Sequence, residues 1–229
     1  MRDHPCLRLP RSVLPFLIVL LLAGGCSRVP KIIVLEDPLT AAEHVDLGVA
    51  YERKGELDLA LREYERALRK DGKFYRARVN LGNVYLAKKE YGKARDEYLR
   101  ALELRPGDAE ATNNLSWAAI FSGEGIEEAL TRMESVVSAP PGSPAAGVPQ
   151  HREARTGAGR DPILLDTLGV LRMRANHPVE AEEAFALAES LCRQAGAVPR
   201  EGVKNEAPCP EEVLREIEVH RGELRRRSP

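Results

Sequence analysis

A strand-and-turn rhythm is what this sequence most plainly lacks. Its periodic segments repeat nearly all at 3.6 residues and not at two, which excludes a sheet protein and predicts an all-α chain. Charge of one sign is lacking too. Lys and Arg number 34 against 35 for Asp and Glu, a formal net charge of −1 in 229 residues. That balance argues against a nucleic-acid binder, which carries a strongly basic face. Aromatics are few, at 5%, with one tryptophan. The one marked apolar run, residues 13–23, is too short to span a bilayer comfortably, since a spanning helix needs ~20 apolar residues. Ligand spacing is absent as well: His4, His44, His151, His177 and His220 are scattered, and the cysteines fit no zinc pattern. Gly123 with Gly125, and Gly157 with Gly159, lack the third glycine and the preceding strand of a nucleotide loop. The adjacent pairs Glu127 with Glu128, Glu182 with Glu183 and Glu211 with Glu212 point in different directions on a helix, and first-turn solvation explains them better than acid–base work. No serine or cysteine has a nucleophile's neighbourhood. The chain reads as a non-enzyme with no cofactor and no metal.

What is present is a repeat. Residues 75–106 form two amphipathic helical patterns joined by a short turn, and a shift of 34 residues superimposes them on the preceding segment. Leu47, Gly48, Tyr51, Ala60, Tyr64 and Ala67 align with Leu81, Gly82, Tyr85, Ala94, Tyr98 and Ala101. The glycines and alanines are small where antiparallel helices must approach to about 8–10 Å, and the tyrosines and leucines fill the flanks. Pro106 stops the second helix of its repeat because it lacks an N–H and disfavours helix before it. Gly72 is expected to stop the corresponding helix by adopting left-handed geometry. These residues resemble the tetratricopeptide repeat. The resemblance is strong over residues 41–106, weak over 108–139 and good over 161–193.

In chain order, Arg2, Arg8 and Arg11, the apolar run and then Gly24, Gly25 and Cys26 describe a secretory signal, residues 1–25. Leu22, Ala23, Gly24, Gly25 and Cys26 resemble a bacterial lipobox, with Ala23 where leucine is usual. Cys26 would then be the lipidated first residue of the mature chain; the alternative is an ordinary cleaved signal with an incidental cysteine. Ser27 in place of aspartate is compatible with transfer to an outer membrane. Residues 26–39 form a tether. Thr40 and Glu43 have capping-box spacing and open three repeats over 41–139. The third is degenerate: Ser116 replaces the glycine, and one extra residue near Gly125 displaces Ala129, Met133 and Val136. Residues 140–160, rich in Pro and Gly, read as a disordered loop. Asp161 and Pro162 restart the pattern, and Leu168, Gly169, Ala181, Phe185 and Ala188 make a fourth repeat over 161–195, ended by Gly196 and Pro199. A last helix over 210–227 turns Val213, Leu214, Ile217 and Leu224 to one side, as a cap for the stack. Cys192 and Cys209 are left over, and in an exported protein they favour a disulfide over two free thiols. Closing ~17 residues, it would contribute up to ~3 kcal/mol.

The expected architecture is therefore an all-α tetratricopeptide solenoid of about four repeats with a C-terminal capping helix. In that family the first helices of successive hairpins line a concave groove that holds a peptide or a partner helix. Carried over by position, the resemblance implies a groove with Arg76, Val79, Asn80, Asn83, Asn113, Asn114 and Trp117 at its centre. Val45, Val49, Glu52, Leu86, Glu110, Ile120, Asp166, Val170 and Met173 extend it. Val45 and Val49 stand where two residues of the family's chaperone-tail clamp belong, so that ligand is not inferred. The chain is similar to bacterial repeat lipoproteins, which implies a lipid-anchored envelope scaffold facing the periplasm that binds other proteins. An accessory subunit of a pilus, secretion or envelope peptidase system is the alternative, and an enzyme with residues 140–160 as a lid is a weaker one.

Overall fold

The computed structural model describes residues 37–140, 161–197 and 209–227. The signal segment, Cys26, most of the tether and nearly all of the 140–160 loop lie outside the described residues. Within them the chain is helical, with no strand, and its helices pair as hairpins. Helix α1 (Ala41–Arg53) pairs with α2 (Leu57–Lys70), α3 (Tyr75–Ala87) with α4 (Tyr91–Leu104), and α5 (Ala109–Ser122) with α6 (Ile126–Ser138). Then α7 (Pro162–Arg174) pairs with α8 (Pro178–Ala197), and α9 (Glu211–Arg227) follows alone.

Helix starts follow local chemistry. The Thr40 hydroxyl accepts the Glu43 N–H at 3.3 Å, and the Glu43 carboxylate accepts the Thr40 N–H at 2.8 Å. Asp108 and Asp161 cap α5 and α7, accepting the N–H groups of Ala111 and Ile163, each at 2.9 Å. The elbow between the helices of a hairpin uses one left-handed residue at the same place in every repeat. Gly55 (φ 76°), Lys89 (φ 60°), Gly123 (φ 74°) and Asn176 (φ 65°) occupy it. Gly125 (φ 74°) absorbs the extra residue of the third repeat with a second left-handed step.

Two helix ends differ from expectation. Gly72 does not adopt left-handed geometry. Instead Asp71 leaves α2 in an extended conformation at φ −140°, and its carboxylate accepts the Lys73 N–H at 2.9 Å. A side chain that bonds the backbone two residues on makes its own turn, so the glycine is not needed there. Gly196 does not end α8, which continues through Ala197. A single glycine costs a helix only about 1 kcal/mol relative to alanine, too little to stop a helix long enough to absorb it.

The seam of each hairpin is a glycine under a ring. A Cβ on Gly82 would lie 2.5 Å from Tyr98 Cε1, and one on Gly169 would lie 2.5 Å from Phe185 Cε1. Gly48 meets Tyr64 in the same way. All three rings are fully buried. In the third repeat both partners change together. Ser116 takes the small position, donates its hydroxyl to the Thr112 carbonyl at 2.8 Å, and packs in the hairpin with buried Met133. An unbranched side chain can bend around a serine where a rigid ring cannot.

Repeats one and two carry a second device that the sequence reading missed. Glu63 and Glu97, in α2 and α4, are only 6% and 7% exposed. Each takes a base from the first helix of its own hairpin, His44 at 2.8 Å and Arg78 at 2.7 Å. Each is also bonded by the arginine three residues on, Arg66 at 2.7 Å and Arg100. The third and fourth repeats hold Thr112 and Leu165 at the place of the base, and their stability rests on an apolar cluster running from Ala119 to Leu224.

Gly82→Ala should lower stability by about 1–3 kcal/mol, the range for overpacking a filled core, despite the gain in helix propensity. Adding Tyr98→Met, which copies the third repeat, should relieve the clash but restore only part of the loss, because the bond to Asn83 goes with the hydroxyl. Urea melts followed by circular dichroism check this, and an unchanged midpoint for Gly82→Ala alone would remove the seam from the account.

Candidate functional site

The first helices of the hairpins touch one another in sequence, α1 with α3, α3 with α5 and α5 with α7, whereas the second helices pack on first helices. The stack is therefore tighter on the side of α1, α3, α5 and α7, and that side is concave. Helix α9 packs on α8 and α7, in the place of the next first helix.

A chain of polar contacts runs along this inner row. The Tyr64 hydroxyl donates to Glu52 Oε2 at 2.7 Å, and Asn80 also bonds Tyr64. The Tyr98 hydroxyl donates to Asn83 Oδ1 at 2.7 Å, and Asn114 Nδ2 donates to the same oxygen at 3.0 Å. The Thr167 hydroxyl donates to Asn113 Oδ1 at 2.8 Å. Further along, His220 Nδ1 lies 3.1 and 2.9 Å from the two oxygens of Asp166. The bonds of Tyr64 to Glu52 and of Tyr98 to Asn83 close their own hairpins, whereas those of Asn80, Asn114, Thr167 and His220 join one repeat to the next element of the stack. Burial raises the Tyr64 hydroxyl well above its ordinary pKa, with the bond to Glu52 adding to it. Burial raises Tyr98 likewise, with the charges of Glu110 and Glu52 contributing. Both phenols therefore remain donors throughout the physiological range.

The amides predicted for the groove thus hold the stack together. Asn80, Asn83, Asn113 and Asn114 are half-buried, and the oxygens of Asn83 and Asn113 are engaged by protein donors. Val79 is a correction. At 4% exposed it belongs to the apolar cluster with Tyr98 and Leu115 and offers a ligand almost no surface. Val45, Ile120, Asp166, Val170 and Met173 are buried for the same reason. In such close packing the floor positions of one first helix are covered by its neighbours.

What remains open is more restricted. Arg76 is exposed, facing Asp46 at 3.7 Å with both side chains solvated. Glu110 is exposed. Desolvation raises its carboxyl, and the charge of Asp108 adds to this. Trp117 is half-buried against the C-terminal cluster, with its ring 5.5 Å from Phe121. Phe121 is 55% exposed and stacks at 5.6 Å on Tyr91 at the start of α4. Sequence reasoning missed Phe121, although its place one helical turn after Trp117 on the same face was a usable signal. It also missed His220 as the partner of Asp166, for which the sequence holds no local sign.

Cys192 and Cys209 are joined as a disulfide, with Cα atoms 5.0 Å apart. It ties α8 to the residues just before α9. Glu182 is not a solvated first-turn residue. It is half-buried and bonded by Arg221 of α9, which also bonds Glu189. Among the described residues no group of His, Cys, Asp and Glu could hold a metal ion, and no helix is long and apolar enough to cross a membrane.

Comparison with known proteins agrees with this geometry. Residues 45–109 match the tetratricopeptide repeat model. No curated protein sequence matches the chain. Among solved structures, PilF of Pseudomonas aeruginosa is similar at 20% identity over 81% of this chain and 69% of its own, with a TM-score of 0.55. YrrB, described as a TPR protein with an unusual peptide-binding site, is similar at 19% identity over 80% of this chain and 87% of its own, with a TM-score of 0.52. MamA of Desulfovibrio magneticus is similar at 16% identity over 82% and 97%, with a TM-score of 0.54. At these identities the likeness concerns the fold, a tetratricopeptide solenoid with a C-terminal helix. A fold of this kind suits protein–protein contact.

Asn83→Ala removes the acceptor of two half-buried donors, and should cost about 1–3 kcal/mol in a urea melt. Arg76→Ala removes a solvated pair and should stay within about 0.5 kcal/mol of the parent. Equal midpoints for the two variants would contradict the stapling role of Asn83.

Proposed function

We propose that the protein is a lipid-anchored adaptor of the bacterial envelope, held at the outer membrane through Cys26 and binding a segment of another envelope protein along its inner row. The observation that carries the binding half is the aromatic ledge of Trp117, Phe121 and Tyr91, whose Phe121 is 55% exposed while Val45, Val79, Ile120, Val170 and Met173 of the inner row are buried. Exposed aromatics beside a charged rim are the side chains from which protein interfaces draw most of their energy. Arg76 and Glu110 give the groove a cation and a carboxylate to orient the occupant, and the amide row can bond an extended backbone through the N–H and C=O groups that the staples leave over. The anchoring half rests on the basic start, the short apolar run and the cysteine after two glycines. Several acyl chains on Cys26 would hold the protein at a bilayer, since each buried CH₂ contributes ~0.8 kcal/mol.

The reading assigns no reaction to the chain. The system it serves, whether pilus, secretion or envelope peptidase, follows from the partner captured. PilF resembles it in fold, and that likeness does not select among them.

Phe121→Ala and Arg76→Ala should each weaken capture of the partner from solubilised envelopes about tenfold, while the melts stay near the parent's, because neither side chain supports the stack. Partners retained in full by both variants would move the binding site elsewhere. Separately, Cys26→Ser should shift the protein from the membrane pellet to the soluble fraction. Unchanged sedimentation with membranes would remove the lipid anchor.

A further inference from the structure

The outer stripes of the second helices differ in charge from one repeat to the next. In α2 the stripe is Arg62, Arg66 and Arg69, spaced i, i+4 and i+7 on one helical face. At the corresponding places α4 mixes signs, with Arg100 between Asp96 and Glu103. In α6 those places are uncharged, and in α8 the first of them is Glu183. Every one of these positions is exposed, so packing makes no demand on them. An all-cationic stripe belongs to the first repeat alone, and the connector beyond α2 adds Lys73.

The acidic groups of α2 are turned elsewhere. Glu63 is buried, Asp58 pairs with Lys88, and the Asp71 carboxylate accepts the Lys73 N–H. Glu65 lies close enough to Tyr85 of α3 for its charge to act on the phenol. Arg66 serves Glu63 as well as facing solvent, whereas Arg62, Arg69 and Lys73 enter no ion pair among the described residues. The outer face of the first hairpin therefore presents cations whose neighbouring carboxylates are already engaged.

Its place in the chain gives that charge a counterpart. Helices α1 and α2 run antiparallel, so Arg66, Arg69 and Lys73 stand at the end of the hairpin where the chain enters α1 at Ala41. Only residues 27–36 separate Cys26 from the described chain, and that length reaches at most about 40 Å when fully extended. We propose that the outer face of α2 docks on a bilayer carrying anionic phospholipid headgroups, which seats the first hairpin on the membrane and leaves the inner row open. The proposal rests on the lipid-anchor reading of Cys26, because the acyl chains bring the bilayer within reach. The planar fork of arginine matches phosphate oxygens bidentately, and each basic side chain near such a surface strengthens the partition about fivefold. At physiological salt this attraction is screened beyond about 8 Å. The face therefore orients a protein that its lipid already holds, and does not retain one that lacks it.

The test takes the mature chain, residues 26–229, with Cys26→Ser to remove the acyl chains. The probes are vesicles of phosphatidylglycerol mixed with phosphatidylcholine, and vesicles of phosphatidylcholine alone. At low ionic strength, where screening extends to about 30 Å, the chain should sediment with the anionic vesicles and not with the neutral ones. Arg62→Gln, Arg69→Gln and Lys73→Gln together should weaken that partition at least about tenfold and leave the urea melt unchanged. Arg174→Gln, Arg226→Gln and Arg227→Gln remove as many cations from the far end and should leave the partition unchanged. Equal weakening by the two triple variants overturns the proposal, as does equal binding to neutral vesicles. Tighter binding to duplex DNA than to the anionic vesicles, lost with Arg62, Arg69 and Lys73, also overturns it, since the face would then be a general polyanion site. None of these outcomes bears on Cys26, whose anchoring is read from the membrane pellet of the acylated chain at physiological salt.

Discussion

In the first, second and fourth hairpins a helix backbone lies directly against a buried ring, and the other dimensions of the stack depend on that contact. Gly48, Gly82 and Gly169 leave no room for a Cβ against Tyr64, Tyr98 and Phe185. The ring in turn fixes how far apart the two helices lie, which sets where the next hairpin can rest. The phenol oxygens of Tyr64 and Tyr98 then emerge on the inner side and find Glu52, Asn80 and Asn83 there. One residue type thus performs two tasks, filling the seam with its ring and tying the inner row with its hydroxyl. In the fourth repeat Phe185 keeps the first task and drops the second, and Thr167 and His220 supply the polar links instead.

The two ends of the stack are stabilised by different chemistry. The first two repeats bury a carboxylate between two bases in each hairpin, an arrangement that is costly to break but no guarantee of net stability. The last two repeats bury apolar side chains, Met133 and Phe185 among them, and add a covalent tie. The sequence marks the transition at Thr112, where His44 and Arg78 find no successor.

Much of the fold was legible because the repeat is a packing rule written in residue size. Glycine and alanine at recurring places, with an aromatic ring opposite, located the seams of three hairpins, and the serine and methionine substitution in the third could be followed through its one-residue shift. Helix starts were legible for the same local reason, at Thr40, Asp108 and Asp161. Helix ends were less so. Gly72 and Gly196 were each read from residue type alone, and in both cases a competing local interaction or the length of the helix decided the outcome. The site was legible in position but not in role. Asn80, Asn83, Asn113 and Asn114 do face inward, yet which of their atoms are spoken for depends on neighbours in other repeats. Asp166 and His220 lie far apart in sequence and nothing local announces their pairing.

A linear stack transmits force from one hairpin to the next, and the tie between Cys192 and Cys209 makes this one asymmetric. Tension arriving through the chain ahead of Leu39 falls first on α1, which packs on α2 and α3. Tension arriving from the far end loads α9 first and passes to α8 only through the crosslink between Cys192 and Cys209. The assembly would therefore yield at its outermost helices, α1 at one end and α9 at the other, while the crosslink spares the end of α8 beyond Cys192 from the load.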